Sequence, residues 1–122
     1  MRILVVDDEP AVRGVISSML MRSGAEVVTA SSRAEAIERL QADRFDWVVL
    51  DYSLPDGTGL DILKEASARQ PGVRAVMVTG EADVARLREE ALRLGAEEVL
   101  RKPFCLHELL RVISLAPRPP LK

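Results

Sequence analysis

Ile3-Leu4-Val5-Val6-Asp7-Asp8 opens the chain with four apolar residues in a row, followed at once by two acids. A run without polar alternation fits a strand covered on both faces, as in a parallel sheet. Trp47-Val48-Val49-Leu50 and Ala75-Val76-Met77-Val78 have the same character. Val27-Val28 and Val99-Leu100 are shorter and read as strands nearer the sheet edges. The segments between them show helical spacing. Val12, Ile16, Met19 and Leu20 form one stripe, and Ala34, Ile37 and Leu40 a second. Leu60, Leu63 and Ala66 form a third, and Val84, Leu87, Ala91 and Leu94 a fourth. Leu106, Leu109, Leu110 and Ile113 form the last. These stripes read as core packing. Gly24 and Gly95 fall where the first and fourth helices should stop, and Pro71-Gly72 follows the third. Pro55-Asp56-Gly57 is a turn signal after the third strand. Five strands alternating with five helices predict an α/β domain, a doubly wound parallel sheet with helices on both faces.

The chain has 122 residues, 48% of them apolar and 30% charged, which suits one globular domain with a real core. A net charge of −2 gives no support for a nucleic-acid-binding surface. No apolar run approaches the ~18–20 residues that a membrane span needs. Ile3–Val6 is too short for the apolar region of a signal peptide. The single cysteine, Cys105, excludes an internal disulfide and permits a reducing compartment, so the expected location is cytoplasmic. After Ile113 the periodicity fails. The expected domain covers residues 1–115, and residues 116–122, with Ala116-Pro117-Arg118-Pro119-Pro120, read as a Pro-rich tail or the stub of a linker.

Asp7 and Asp8 close the first strand, Asp51 the third and Thr79 the fourth, and Lys102 follows the fifth. In open parallel sheets ligands bind at the carboxyl ends of the strands, where strand order reverses. If the order is 2-1-3-4-5, a common one for this architecture, these groups share one rim. Three converging carboxylates repel one another unless a divalent cation sits among them. Asp8 and Asp51 can supply oxygens to Mg²⁺, and Asp7 can hold it directly or through water. A carboxylate can also attack phosphorus, with the lysine and the hydroxyl placed for the charge that develops. Taken singly, each feature has a plain structural reading. Asp7-Asp8-Glu9-Pro10 fits a strand-to-helix turn with a capping acid, Thr79-Gly80 a loop, and Lys102-Pro103 a surface pair. Their occurrence at the ends of different strands is what carries chemistry.

These segments resemble the receiver domain of two-component response regulators, which has the flavodoxin-like five-stranded fold. They are Ile3-Leu4-Val5-Val6-Asp7-Asp8-Glu9-Pro10 and Val48-Val49-Leu50-Asp51-Tyr52-Ser53-Leu54-Pro55-Asp56-Gly57-Thr58-Gly59-Leu60, then Val78-Thr79-Gly80 and Gly95-Ala96-Glu97-Glu98-Val99-Leu100-Arg101-Lys102-Pro103-Phe104. The resemblance implies that Asp51 is a phosphoacceptor. It implies Mg²⁺ held by Asp7, Asp8, Asp51 and the backbone carbonyl of Ser53. It implies that Thr79 and Lys102 contact the phosphoryl group and that the Lys102–Pro103 bond is cis. The donor would be a sensor histidine kinase or a histidine phosphotransfer protein, and the target a downstream effector protein or domain. Neither direct nucleic-acid binding nor a membrane contact is expected, and the domain would be a monomer or a weak homodimer. Such a domain catalyses only its own phosphorylation and dephosphorylation, so it is not an enzyme in the ordinary sense. One position departs from the family pattern: Val99 stands where an aromatic usually acts as a switch three residues before the lysine. That departure keeps open an alternative, a degenerate receiver acting as a phosphorylation-independent interaction module.

Two other readings fit less well. Phosphatases of the haloacid dehalogenase type carry Asp-x-Asp-Gly-Thr after a strand, but here Asp56-Gly57-Thr58 comes three residues too late after Asp51. A flavodoxin-like cofactor binder would need a phosphate-cradling loop where Asp7 and Asp8 stand. His107 reads as solvated or helix-packing, Cys105 as a small packed side chain and Trp47 as core-edge packing. The charges from Arg86 to Arg111 read as a solvated face or one that docks a partner.

Overall fold

A computed structural model describes residues 1–80 and 84–114. The sheet holds five parallel strands: β1 (Arg2–Val6), β2 (Glu26–Ala30), β3 (Trp47–Asp51), β4 (Arg74–Thr79) and β5 (Glu98–Arg101). Their order is β2-β1-β3-β4-β5, as the sequence led us to expect. Between and after them run α1 (Pro10–Arg22), α2 (Arg33–Ala42), α3 (Gly59–Arg69), α4 (Val84–Arg93) and α5 (Leu106–Ser114). The expected tail at 116–122 lies outside the described residues.

Burial follows position in the sheet. All five residues of β3 are buried, as are Ile3–Val6 of β1 and Ala75–Thr79 of β4, whereas edge strand β2 is mostly half-buried. Alternate side chains of each strand go to opposite faces. Leu4, Val6, Val48, Leu50, Met77 and Val99 pack under α2, α3 and α4. Ile3, Val5, Val49, Val76, Val78 and Leu100 pack under α1 and α5, against Ile16, Leu20, Leu109 and Ile113. Strands buried on both faces explain why the sequence shows runs instead of alternation.

The helix stripes were legible except in α2. There Ala36 and Leu40 are buried and Ile37 is half-buried, while Ala34 is exposed. Ala34 sits in the first turn, where its backbone faces another loop. Gly24, Gly72 and Gly95 have φ of 95°, 98° and 111°, the left-handed region that ends a helix or turn at little cost for glycine alone. Buried Gln70 was not singled out from the sequence. Its side chain accepts from Phe45 N at 2.8 Å and donates to the Leu40 and Asp43 carbonyls at 3.0 and 2.7 Å, fastening the α2–β3 loop.

Candidate functional site

Strand register brings the site together. Val6 pairs with Leu50, so the next residues, Asp7 and Asp51, emerge side by side at the reversal of strand order. Asp51 pairs with Val78, and Thr79 with Arg101, so Thr79 and then Lys102 follow on the same rim. Lys102 N donates to the Thr79 carbonyl at 2.7 Å, and the Lys102–Pro103 peptide bond is cis. Asp7, Asp51 and Thr79 are buried, whereas Asp8 is exposed at the mouth.

Asp7, Asp8 and Asp51 each offer a carboxylate oxygen, all within 4.8 Å of one another. The Lys102 ammonium lies against two of these carboxylates. Its Nζ lies 3.2 Å from Asp51 Oδ2, 3.3 Å from Asp7 Oδ2 and 3.5 Å from Glu9 Oε1. Burial and the neighbouring Asp7 charge push the Asp51 carboxyl up to about 6, against the opposing pull of Lys102 and of a hydrogen bond from the Ser53 backbone. Burial works to lower the Lys102 ammonium, but Asp51 and Asp7 outweigh it and leave the group above its usual value. One lysine therefore does not neutralise the crevice. The donor set is all hard oxygen at close range, which suits Mg²⁺ better than a softer ion.

The supporting contacts are local. Asp7 Oδ1 accepts from Glu9 N at 2.9 Å, and Arg13 donates to the Asp7 carbonyl at 2.8 Å, which braces the corner between β1 and α1. Pro10 begins α1, where a missing N–H costs nothing. Ser53–Leu54 and Gly57–Thr58 form a short antiparallel ladder, more than the plain turn that the sequence suggested. Gly59 N donates to the Tyr52 carbonyl at 2.8 Å, and a Cβ on Gly59 would stand 2.5 Å from the Asp51 carbonyl oxygen. Only glycine lets α3 start this close to the acceptor strand. Ser53 follows Asp51 by two residues, and its side chain is exposed.

The sequence did not flag Glu9 or Arg13. Both are near in sequence to Asp7 and could be found only by asking what braces the turn. Cys105 was expected to pack but is exposed, 3.8 Å from His107 Nδ1, because it lies before the first buried turn of α5. Trp47 is buried, with the Arg74 guanidinium 5.1 Å from its ring centroid. It begins the strand that Asp51 ends, about 13 Å away at the usual strand rise. A hollow of about 780 Å³ opens at that end, lined by Arg2, Asp46, Trp47 and Arg74 among others, remote from the acids.

Fold and rim together define a doubly wound α/β domain with an acidic, lysine-capped crevice at the strand-order reversal. The family model described as "Response regulator receiver domain" matches residues 3–114. The chain belongs to that family, the receiver domains of two-component systems. It is 36% identical to the probable transcriptional regulatory protein TcrX of Mycobacterium tuberculosis over 117 residues, 95% of this chain and 50% of that protein. The chain thus spans about half the length of that relative. Among solved structures, a CheY-like receiver domain protein from Methanospirillum hungatei superposes with a TM-score of 0.86 at 32% identity, over 93% of this chain and 90% of that one. The Thermotoga maritima response regulator TrrA, solved in complex with Mg²⁺ and BeF, gives 0.81 at 29% identity, over 93% and 96%.

Proposed function

We propose that this domain accepts a phosphoryl group on Asp51 from a phosphohistidine of a sensor kinase or histidine phosphotransfer protein. The observation that carries the reading is the convergence of Asp51, Asp7 and Asp8 within 4.8 Å, with Lys102 Nζ 3.2 Å from Asp51. Asp51 Oδ attacks phosphorus, an O–P bond forms, the donor P–N bond breaks, and the imidazole leaves with the electron pair. Charge builds on the phosphoryl oxygens during transfer. Lys102 swings from the carboxylates to these oxygens, and the Thr79 hydroxyl donates to them. Asp7, Asp8, Asp51 and the Ser53 carbonyl would hold Mg²⁺, which supplies charge neutralisation when bound. The buried walls keep water off Asp51 from the sheet side and leave access through the mouth at Asp8 and Glu9.

The expected setting is a cytoplasmic signalling protein in which residues 1–115 form the receiver. Its output would be passed to an effector through the face around α4, β5 and α5. A full set of acceptor-site residues favours this reading over an interaction module that ignores phosphorylation. Acetyl phosphate with Mg²⁺ should add one phosphoryl group to the intact chain by mass. Asp51→Asn should add none. Equal labelling of that variant, with the same base-labile chemistry, would overturn the assignment.

A further inference from the structure

The loop that follows Asp51 is tied at its tip to the start of α2, the helix packed beside α3. Asp56 Oδ1 accepts from Arg33 N at 2.7 Å, and Asp56 Oδ2 accepts from Ala34 N at 2.9 Å. These are the first two backbone donors of α2, which a helix cannot satisfy internally. The third, Glu35 N, goes to the helix's own Ser32 Oγ at 3.1 Å. Helix α2 is therefore capped half by its own sequence and half by the acceptor loop. The two donated hydrogen bonds, from Ala34 and from Arg33, hold the Asp56 carboxyl below its usual range. The Arg33 side chain lies along the same loop, with Nε 4.0 Å from Asp61 Oδ2.

Leu54, within the loop, packs half-buried against the core, and hydrogen bonds fix the loop on either side of it. At its base, Tyr52 N donates to the Val78 carbonyl at 2.9 Å and Gly59 N to the Tyr52 carbonyl at 2.8 Å. At its tip, Asp56 holds α2. The Ser53–Leu54 and Gly57–Thr58 ladder is the lever between them. Loss of the tip removes one of the restraints on the loop that carries Ser53.

We propose that Asp56 is a positioning residue that fixes the Ser53 carbonyl through this cap, so that cation binding at Asp51 and order at the start of α2 are linked. The inference rests on the phosphoacceptor reading, because it takes Ser53 as a ligand. Linkage is reciprocal: what steadies the loop steadies the first turn of α2, and the converse.

The test compares Asp56→Ala with Ser32→Ala under Mg²⁺ titration, followed by amide NMR shifts. Both variants remove capping from the same helix end and should lower the melting temperature by similar amounts. Asp56→Ala should weaken Mg²⁺ binding roughly 10-fold, as loss of an outer partner of a metal ligand does. Ser32→Ala loosens the same turn but leaves the two Asp56 hydrogen bonds in place, so by the linkage it should weaken binding by less, about two- to threefold. In the unaltered protein, Mg²⁺ should slow exchange of the Arg33 and Ala34 amides, and Asp56→Ala should erase that response. If Asp56→Ala does not fold, Asp56→Asn, which keeps one acceptor oxygen, should show the same effect at smaller size. Unchanged Mg²⁺ affinity in a folded Asp56 variant overturns the proposal, and so does an equal loss in Ser32→Ala. Failure of the unaltered protein to bind Mg²⁺ would instead sink the phosphoacceptor reading itself.

Discussion

At the amino ends of the strands, Arg2 meets Glu26 and Asp43 at 3.2 and 3.0 Å, and Arg74 meets Glu97 at 2.9 Å while covering Trp47. Asp46 accepts from Arg2 N at 2.8 Å. Arg2 serves two carboxylates at once, but these side chains stand largely in solvent, which screens what is left over. At the carboxyl ends, Asp7, Asp51 and Glu9 share the single ammonium of Lys102, and Asp8 stands beside them. The first arrangement lies open to water and holds a cation only weakly. The second carries surplus negative charge in a half-enclosed crevice, a state that a divalent cation relieves. On the phosphoacceptor reading, function in this domain belongs to the end of the sheet where charge is left over, and not to the hollow of about 780 Å³ at the other end.

The comparison breaks most readily on the two cations. Lys102→Ala should reduce phosphorylation by acetyl phosphate by about 10²–10³-fold, the usual cost of removing one group that meets charge in a transition state. Arg74→Ala removes a cation from the paired end and should leave the rate unchanged. It should cost only about 1 kcal/mol of stability through the exposed ion pair and the ring contact. A comparable rate loss in Arg74→Ala would mean that the two ends are not independent.

Stability without metal should separate the same two regions. Burial and the Asp7 charge push the Asp51 carboxyl up to about 6 in the folded chain, against an ordinary 3.8. The native state therefore holds this proton where the unfolded chain has lost it. The contribution of Asp51 to stability falls as pH rises through that window and stays low above it. Asp51→Asn should raise the melting temperature of the Mg²⁺-free protein at pH 7, worth about 1–2 kcal/mol after allowing for solvent in the open crevice. The advantage should shrink as pH is lowered toward 4. Replacing Asp46 at the other end should destabilise instead. Loss of stability in Asp51→Asn at pH 7 without metal would show that Lys102 already balances the site.

Most of this was legible in sequence because buried parallel strands announce themselves as apolar runs, and the polar residue after each run marks the rim. Asp7, Asp51 and Thr79 needed only the strand order to be brought together. Glu9, Arg13 and Asp56 were not legible, because their contacts run from loop to loop or to backbone and leave no periodicity. Ala34 looked like core by spacing, yet its neighbour Asp56 comes from 22 residues further along the chain. Gly59 stood in the segment that resembles the family with no physical reason attached, and the Asp51 carbonyl at 2.5 Å from its absent Cβ supplies one. Gly59→Ala should cost about 1–3 kcal/mol by overpacking the rim. Gly14→Ala, in α1 with nothing within 4 Å, should stabilise by about 0.5–1 kcal/mol. Melting curves of the two variants check both signs.

The smallest effect concerns how far a signal spreads from the crowded end. Val99 is buried on β5 beside Met77 and under α4, in the position where the family usually has an aromatic. A β-branched side chain is stiff about its first torsion and too short to sweep between a buried and an exposed site. Phosphorylation should still draw the Thr79 hydroxyl toward the phosphoryl oxygens, because a charge-assisted hydrogen bond is gained. The response then has to pass through the segment after Gly80, whose residues 81–83 lie outside the described residues, and into α4. Beryllofluoride with Mg²⁺ should shift the amides of Thr79 and of Val84–Arg93, and leave Arg2, Asp46 and Arg74 still. A silent α4 beside a responsive Asp51 loop would locate the output on another face, and the α2 end held by Asp56 would be the first place to look. Shifts of equal size at Arg2 and Arg74 would mean that the sheet transmits along its whole length, and the division between its two ends would fail.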